Sequence, residues 1–185
     1  MHQPYDALRN DDRPMSTLRT AHVSIEDPDP IGALSRALGG EAFAIILLFV
    51  GAEAPFRRIA TQAAGAFGAA QVVACTTAGE ISADGYTENE IVAVGLPARH
   101  FLVDTLMLAS LDAINADATV ANLIHKRGAL AARRADWRHD FAFLLIDGLS
   151  LREDELVSIV DAGLGGAPMF GGSAGDGVAF DETMI

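Results

Sequence analysis

Ala42 to Val50 is the longest dense apolar run in the chain, and it constrains the fold more than any other feature. Its nine residues are too few to cross a bilayer. No polar residue interrupts it to mark a face for water, so it reads as a strand covered on both sides. Strands of that kind belong to sheets flanked by helices, and the surrounding sequence supplies such helices.

Leu18 to Ile25 fits a first strand. Asp29 before Pro30 reads as a helix N-cap with proline at the first helical position. Ile31, Leu34, Ala37 and Leu38 then form one apolar stripe, and Gly39-Gly40 stops it. Phe43 to Val50 is the second strand, Ala54 to Phe67 a helix, and Gln71 to Thr77 a third strand. The order βαβαβ predicts a parallel sheet with crossover helices. Ala78 to Asn89 reads as loop. Glu90 to Leu96 and His100 to Leu108, joined at Pro97-Ala98-Arg99, read as an antiparallel hairpin. Ala113 to Ala135 is helical, with a break expected at Gly128. Phe141 to Ile146 is another buried strand. A helix follows from about Leu151, with Ser150 and Glu153 spaced as a capping box, and a last strand starts at Pro168. The expected class is α/β: a central, mainly parallel sheet with one antiparallel hairpin and flanking helices. A layered arrangement with two packed sheets is the alternative.

With 185 residues the chain is expected to form one domain over residues 17–185, preceded by a flexible arm over residues 1–16. A formal net charge of -12 opposes phosphate backbones and anionic membrane surfaces, which argues against nucleic-acid and membrane partners. The single cysteine excludes an internal disulfide and any multi-cysteine metal cluster. The polar N-terminus lacks the apolar core of a signal peptide, so the expected compartment is the cytoplasm.

Two turns carry the candidate chemistry. One is Cys75-Thr76-Thr77-Ala78-Gly79-Glu80; the other is Gly171-Gly172-Ser173-Ala174-Gly175-Asp176. Each places small residues at a strand end, then hydroxyls, then Ala-Gly and an acid. Small residues let a ligand approach the backbone, hydroxyls donate and accept, and the acid can meet an ammonium group. Taken alone, each is also an ordinary tight turn. The candidate ligand-binding residues are Cys75, Thr76, Thr77, Gly79, Glu80, Gly171, Gly172, Ser173, Gly175 and Asp176. A phosphate loop is excluded, because no G-x-x-x-x-G-K-[ST] occurs and the only lysine, Lys126, lies far away. Asp147-Gly148 closes a strand before a helix, where ligand-facing residues often occur in α/β proteins.

Cys75 is the one possible thiol nucleophile, which makes a cysteine-dependent hydrolase an alternative reading, but no sequence pattern supplies its base. His2, His22, His100, His125 and His139 show no metal-binding spacing; a haem would need just one of them beside an apolar pocket. Arg133, Arg134 and Arg138 beside Trp137 form the basic cluster, which suits a solvated helix end.

At Cys75 to Ile81, at Phe143 to Leu149 and at Phe170 to Asp176, the sequence resembles the FIST family. The resemblance spans about Arg19 to Asp176 and matches the N-terminal part of that sensory domain. It implies a non-catalytic, small-ligand-binding sensor of bacterial signal transduction, with an amino acid as the ligand proposed for the family. It further implies a signalling partner such as a histidine kinase or diguanylate cyclase. Some members are haem-containing nitric oxide sensors, which is the alternative reading; otherwise no cofactor is expected. The resemblance supplies no catalytic residues. The abrupt stop at Ile185, without a closing helix, is expected to mark a cut before the family's second half.

Overall fold

The computed structural model describes residues 17–82, 84–176 and 182–185. The arm expected over residues 1–16 lies outside them. Strand β1 (Arg19–Ser24) leads into α1 (Pro30–Leu38). As its sequence requires, Pro30 opens the helix and the Asp29 side chain accepts the Gly32 N–H at 3.1 Å. Strand β2 (Phe43–Gly51), helix α2 (Phe56–Ala63) and strand β3 (Gln71–Thr77) follow. Helix α2 is shorter than its pattern, giving way to turns after Ala63.

The short strands β4 (Glu80–Ser82) and β5 (Gly85–Thr87) pair antiparallel within the stretch expected to be loop. Strand β6 (Glu90–Pro97) then returns to the main sheet, whose order is β1-β6-β2-β3. Strand β6 runs antiparallel to both β1 and β2, while β2 and β3 are parallel. The sheet is therefore mixed rather than mainly parallel. Strands β1, β2 and β3 do share one direction, as βαβαβ implies, but a reversed strand separates the first two.

That insertion also corrects the expected hairpin. Both edges of β6 are taken, so His100 to Leu108 has no edge there to pair with. The segment instead continues without a ladder, and the Gln71 side-chain amide reaches the Val103 carbonyl at 3.3 Å.

Helices α1 and α2 pack on one face of this sheet. Leu34 and Ile59 meet Ile46, Val50, Ile91 and Ala93 in a core where all six are fully buried. Burying a side chain of the Leu or Ile class contributes about 1.5–3 kcal/mol, so this face dominates the stability of the unit.

A second core forms around β7 (Ala142–Asp147) and β8 (Met169–Ala174), which pair in parallel. Helix α4 (Glu153–Leu164) crosses between them, and α3 (Ala116–Arg133) packs on α4 without a break at Gly128. Ile146, Leu156, Val160 and Leu164 are its centre. The expected capping box does not form. Leu151 adopts a positive φ of 53°, which places Ser150 outside the N-cap position; its hydroxyl donates to the Asp147 carbonyl at 2.6 Å.

The register pairs Phe143 with Phe170 on the face away from the helices. Phe141, Phe143 and Phe170 are 45%, 37% and 54% exposed, so this strand pair is covered on one face rather than two. Among the described residues, no helix is long and apolar enough to cross a membrane.

Candidate functional site

Two sequence turns more than ninety residues apart meet in space. The Gly175 N–H, just past β8, donates to the carbonyl of Thr76 near the end of β3 at 3.1 Å. A side chain at Gly175 would lie 3.3 Å from both the Cβ and the nitrogen of Ala78, so glycine permits this approach. The carboxyl end of β7 joins them. A side chain at Gly148 would strike the Ala174 carbonyl at 2.5 Å, so the β7 turn sits directly against the end of β8. Three strand ends thus converge, at the kind of place where open α/β sheets hold ligands.

Thr76 is the joint of this region. It is 2% exposed, and its backbone N–H donates to the Met184 carbonyl at 3.0 Å. Its hydroxyl accepts the Met184 N–H at 3.1 Å. Residues 182–185 consequently lie across the converging strand ends. The Glu182 N–H donates to the Asp176 carboxylate at 3.1 Å, and the Thr183 hydroxyl donates to the Asp147 carboxylate. Arg57 of α2 pairs with Glu182 at 3.5 Å. No sequence pattern pointed to this segment.

The other predicted residues divide. The Thr77 hydroxyl donates to Glu80 at 2.5 Å, and the second oxygen of Glu80 accepts the Glu90 N–H at 3.2 Å. Glu80 is 2% exposed, so its carboxylate ties the β3–β4 turn to the start of β6. Gly79 lies under the exposed Tyr86 ring, which a side chain there would push aside. The two acids of the matching turns therefore do not converge: Glu80 bonds toward β6, and Asp176 toward residues 182–185. Ser173 is exposed and its hydroxyl donates to Glu153 at 3.4 Å. Gly171 and Gly172 lie farther back on β8, opposite Leu144 and Leu145.

Cys75 is buried, and burial pushes its thiol up to about 11. No described residue hydrogen-bonds to it as a base. A neutral thiol without a base is not an activated nucleophile.

Among the described residues, no three His, Cys, Asp or Glu side chains cluster to hold a metal ion. His22 bonds Glu90 at 3.1 Å and Asp84 at 3.4 Å. His100 and His125 are exposed. His139 lines an open groove with Phe141 and Phe170, but the ion-paired Arg127 and Asp140 line it too. That wall is charged and open rather than apolar and enclosing, so these residues do not fit a haem.

The family model described as FIST N domain matches residues 44–185, a span that contains both turns and the Asp147-Gly148 corner. No match is found among curated proteins or among solved structures.

Proposed function

The chain belongs to the FIST N domain family, a family of sensory domains in signal transduction, and on that premise we propose that it binds a small molecule where β3, β7 and β8 end. The observation that supports this reading is the direct meeting of the two Ala-Gly-acid turns through Gly175 and Thr76. Thr77, held by Glu80, stands on one side with Cys75 behind it. Ser173, Gly175 and Asp176 stand on the other, while Gly79 and, farther back on β8, Gly171 and Gly172 shape the backbone that brings them there.

An amino acid matches the chemistry. Its ammonium group meets Asp176, while hydroxyls and backbone N–H groups hold its carboxylate. Glu80 supports the turn from inside. Residues 182–185 use the same groups, so the ligand competes with them for Asp176 and Thr76. Binding is then coupled to release of that segment, which gives occupancy a structural consequence without any reaction. The output passes to a cytoplasmic signalling protein such as a histidine kinase or diguanylate cyclase.

Calorimetric titration with each of the twenty amino acids tests the reading. At least one is expected to bind, and Asp176→Asn is expected to weaken it tenfold or more. Absence of binding by all twenty, or unchanged affinity in Asp176→Asn, refutes it.

A further inference from the structure

The aromatic face of β7 and β8 borders the most basic corner of the chain. Phe141 stacks on Phe170 with centroids 5.2 Å apart, and Phe143 meets Phe170 edge-on at 5.4 Å. All three stay more than a third exposed. Contiguous exposed aromatic rings on a folded surface mark contact sites. Phe141 and Phe170 also line the open groove that Arg138 and His139 enter.

The charge here opposes that of the whole. Residues 126–138 hold five of the thirteen Lys and Arg residues and one acid, Asp136, in a chain of net charge -12. Lys126 is answered by Asp104 at 2.7 Å, which leaves the arginines to carry the local charge. Arg133 lies in the last turn of α3, where cations answer the helix dipole. Arg138 lies beyond the helix, so the dipole does not account for it. Arg127 is fixed by Asp140 at 2.5 Å and by the Leu164 carbonyl. Arg134 stacks over Trp137 at 4.6 Å. Arg138 pairs with no carboxylate among the described residues; it is exposed and lines the groove.

We infer that this corner is a docking surface for a partner protein's acidic segment, one that sets carboxylates against Arg138 and large apolar side chains against Phe141, Phe143 and Phe170. Charge complementarity selects the partner: a bare aromatic face accepts any apolar segment, and the adjoining Arg138 selects one that carries carboxylates. Nucleic acid meets the same cations but is repelled by the rest of the surface. The site stands at the amino ends of β7 and β8, opposite the strand ends proposed above to bind the ligand, and does not depend on them.

Trp137 is the only tryptophan and sits inside the basic corner, so its fluorescence reports occupancy. The probe is a synthetic peptide of glutamates interspersed with phenylalanine and leucine, titrated into the full chain. Saturable binding is expected, weakened tenfold or more by Arg138→Glu, by Phe170→Ser and by replacing the peptide's glutamates with glutamines. Both substitutions are at exposed positions, and circular dichroism verifies their folding. Binding that ignores Arg138→Glu, or equal binding of the glutamine peptide, overturns the proposal. So does stronger binding of duplex DNA or of phosphatidylserine vesicles. Dimerisation of the free chain that Phe170→Ser abolishes overturns it as well, because the face then belongs to a second copy.

Discussion

The thiol of Cys75 measures how completely the end of β3 is sealed. It is 2% exposed, and burial raises its pKa from 9.0 to about 11. The folded protein therefore holds this proton more tightly than the unfolded chain does. The resulting stability is present in full below about pH 9 and is lost as pH rises through about 11. A displacement of that size is worth about 2–3 kcal/mol. With a urea dependence of about 2 kcal/mol/M for a domain of this size, the unfolding midpoint falls by about 1 M across that range. Other groups titrate there too, so the measurement is a difference. Urea unfolding is followed by far-UV circular dichroism from pH 7 to 11, for the wild type and for Cys75→Ala. The variant loses some packing energy at every pH, which offsets its curve without tilting it. The two curves are expected to converge above pH 9. Curves that stay parallel to pH 11 refute the reasoning, as does rapid modification of the native thiol by a disulfide-exchange reagent at pH 8.

Glu80→Gln keeps the side-chain volume but removes the charged acceptor shared by Thr77 and Glu90. A loss of about 1–2 kcal/mol is expected, read as a fall of about 4 °C in Tm by scanning calorimetry. Leu151 holds a positive φ of 53° while 85% exposed, so Leu151→Gly relieves strain without costing packing. A gain of about 1 kcal/mol in urea unfolding is expected. Met184→Pro deletes the N–H that reaches the Thr76 hydroxyl, loosening residues 182–185. Calorimetry is expected to show several-fold tighter binding of whichever amino acid the wild type binds. Weaker binding would mean that the segment builds the site rather than competing for it.

Periodicity located β1, α1, β2, β3, β6, β7 and α4 to within a few residues, because each is set by its own apolar pattern and caps. It misassigned what depends on partners. The apolar stretch His100 to Leu108 carries a strand's composition, yet a strand exists only where an edge is free, and β6 offers none. Phe141 to Ile146 reads as buried on composition alone. Nothing local reveals that helices cover only the Ala142, Leu144 and Ile146 side. Of the candidate site, the small residues were legible: the repeated Ala-Gly-acid signal marks two turns that the structure brings into contact. The direction of Glu80 was not, because its partner is the backbone of Glu90, ten residues on. Residues 182–185 carry no motif, since their attachment to Thr76 runs mainly through backbone atoms.

The reversed position of β6 has a consequence for how the chain acquires its structure. Strands β1 and β2 are joined by a single short helix, yet they cannot pair, because their places are held apart for a strand that begins at Glu90. During synthesis the stretch Phe43 to Val50 therefore waits, with one backbone edge unsatisfied, until some forty further residues have emerged. Contacts so distant along the chain are slow to close, and slow closure lengthens the time an apolar edge stands open to other molecules. The strand that makes the core most secure once folded is thus the one most exposed to aggregation beforehand. A substitution that delays the docking of β6 would lower the yield of folded protein well before it lowered its stability.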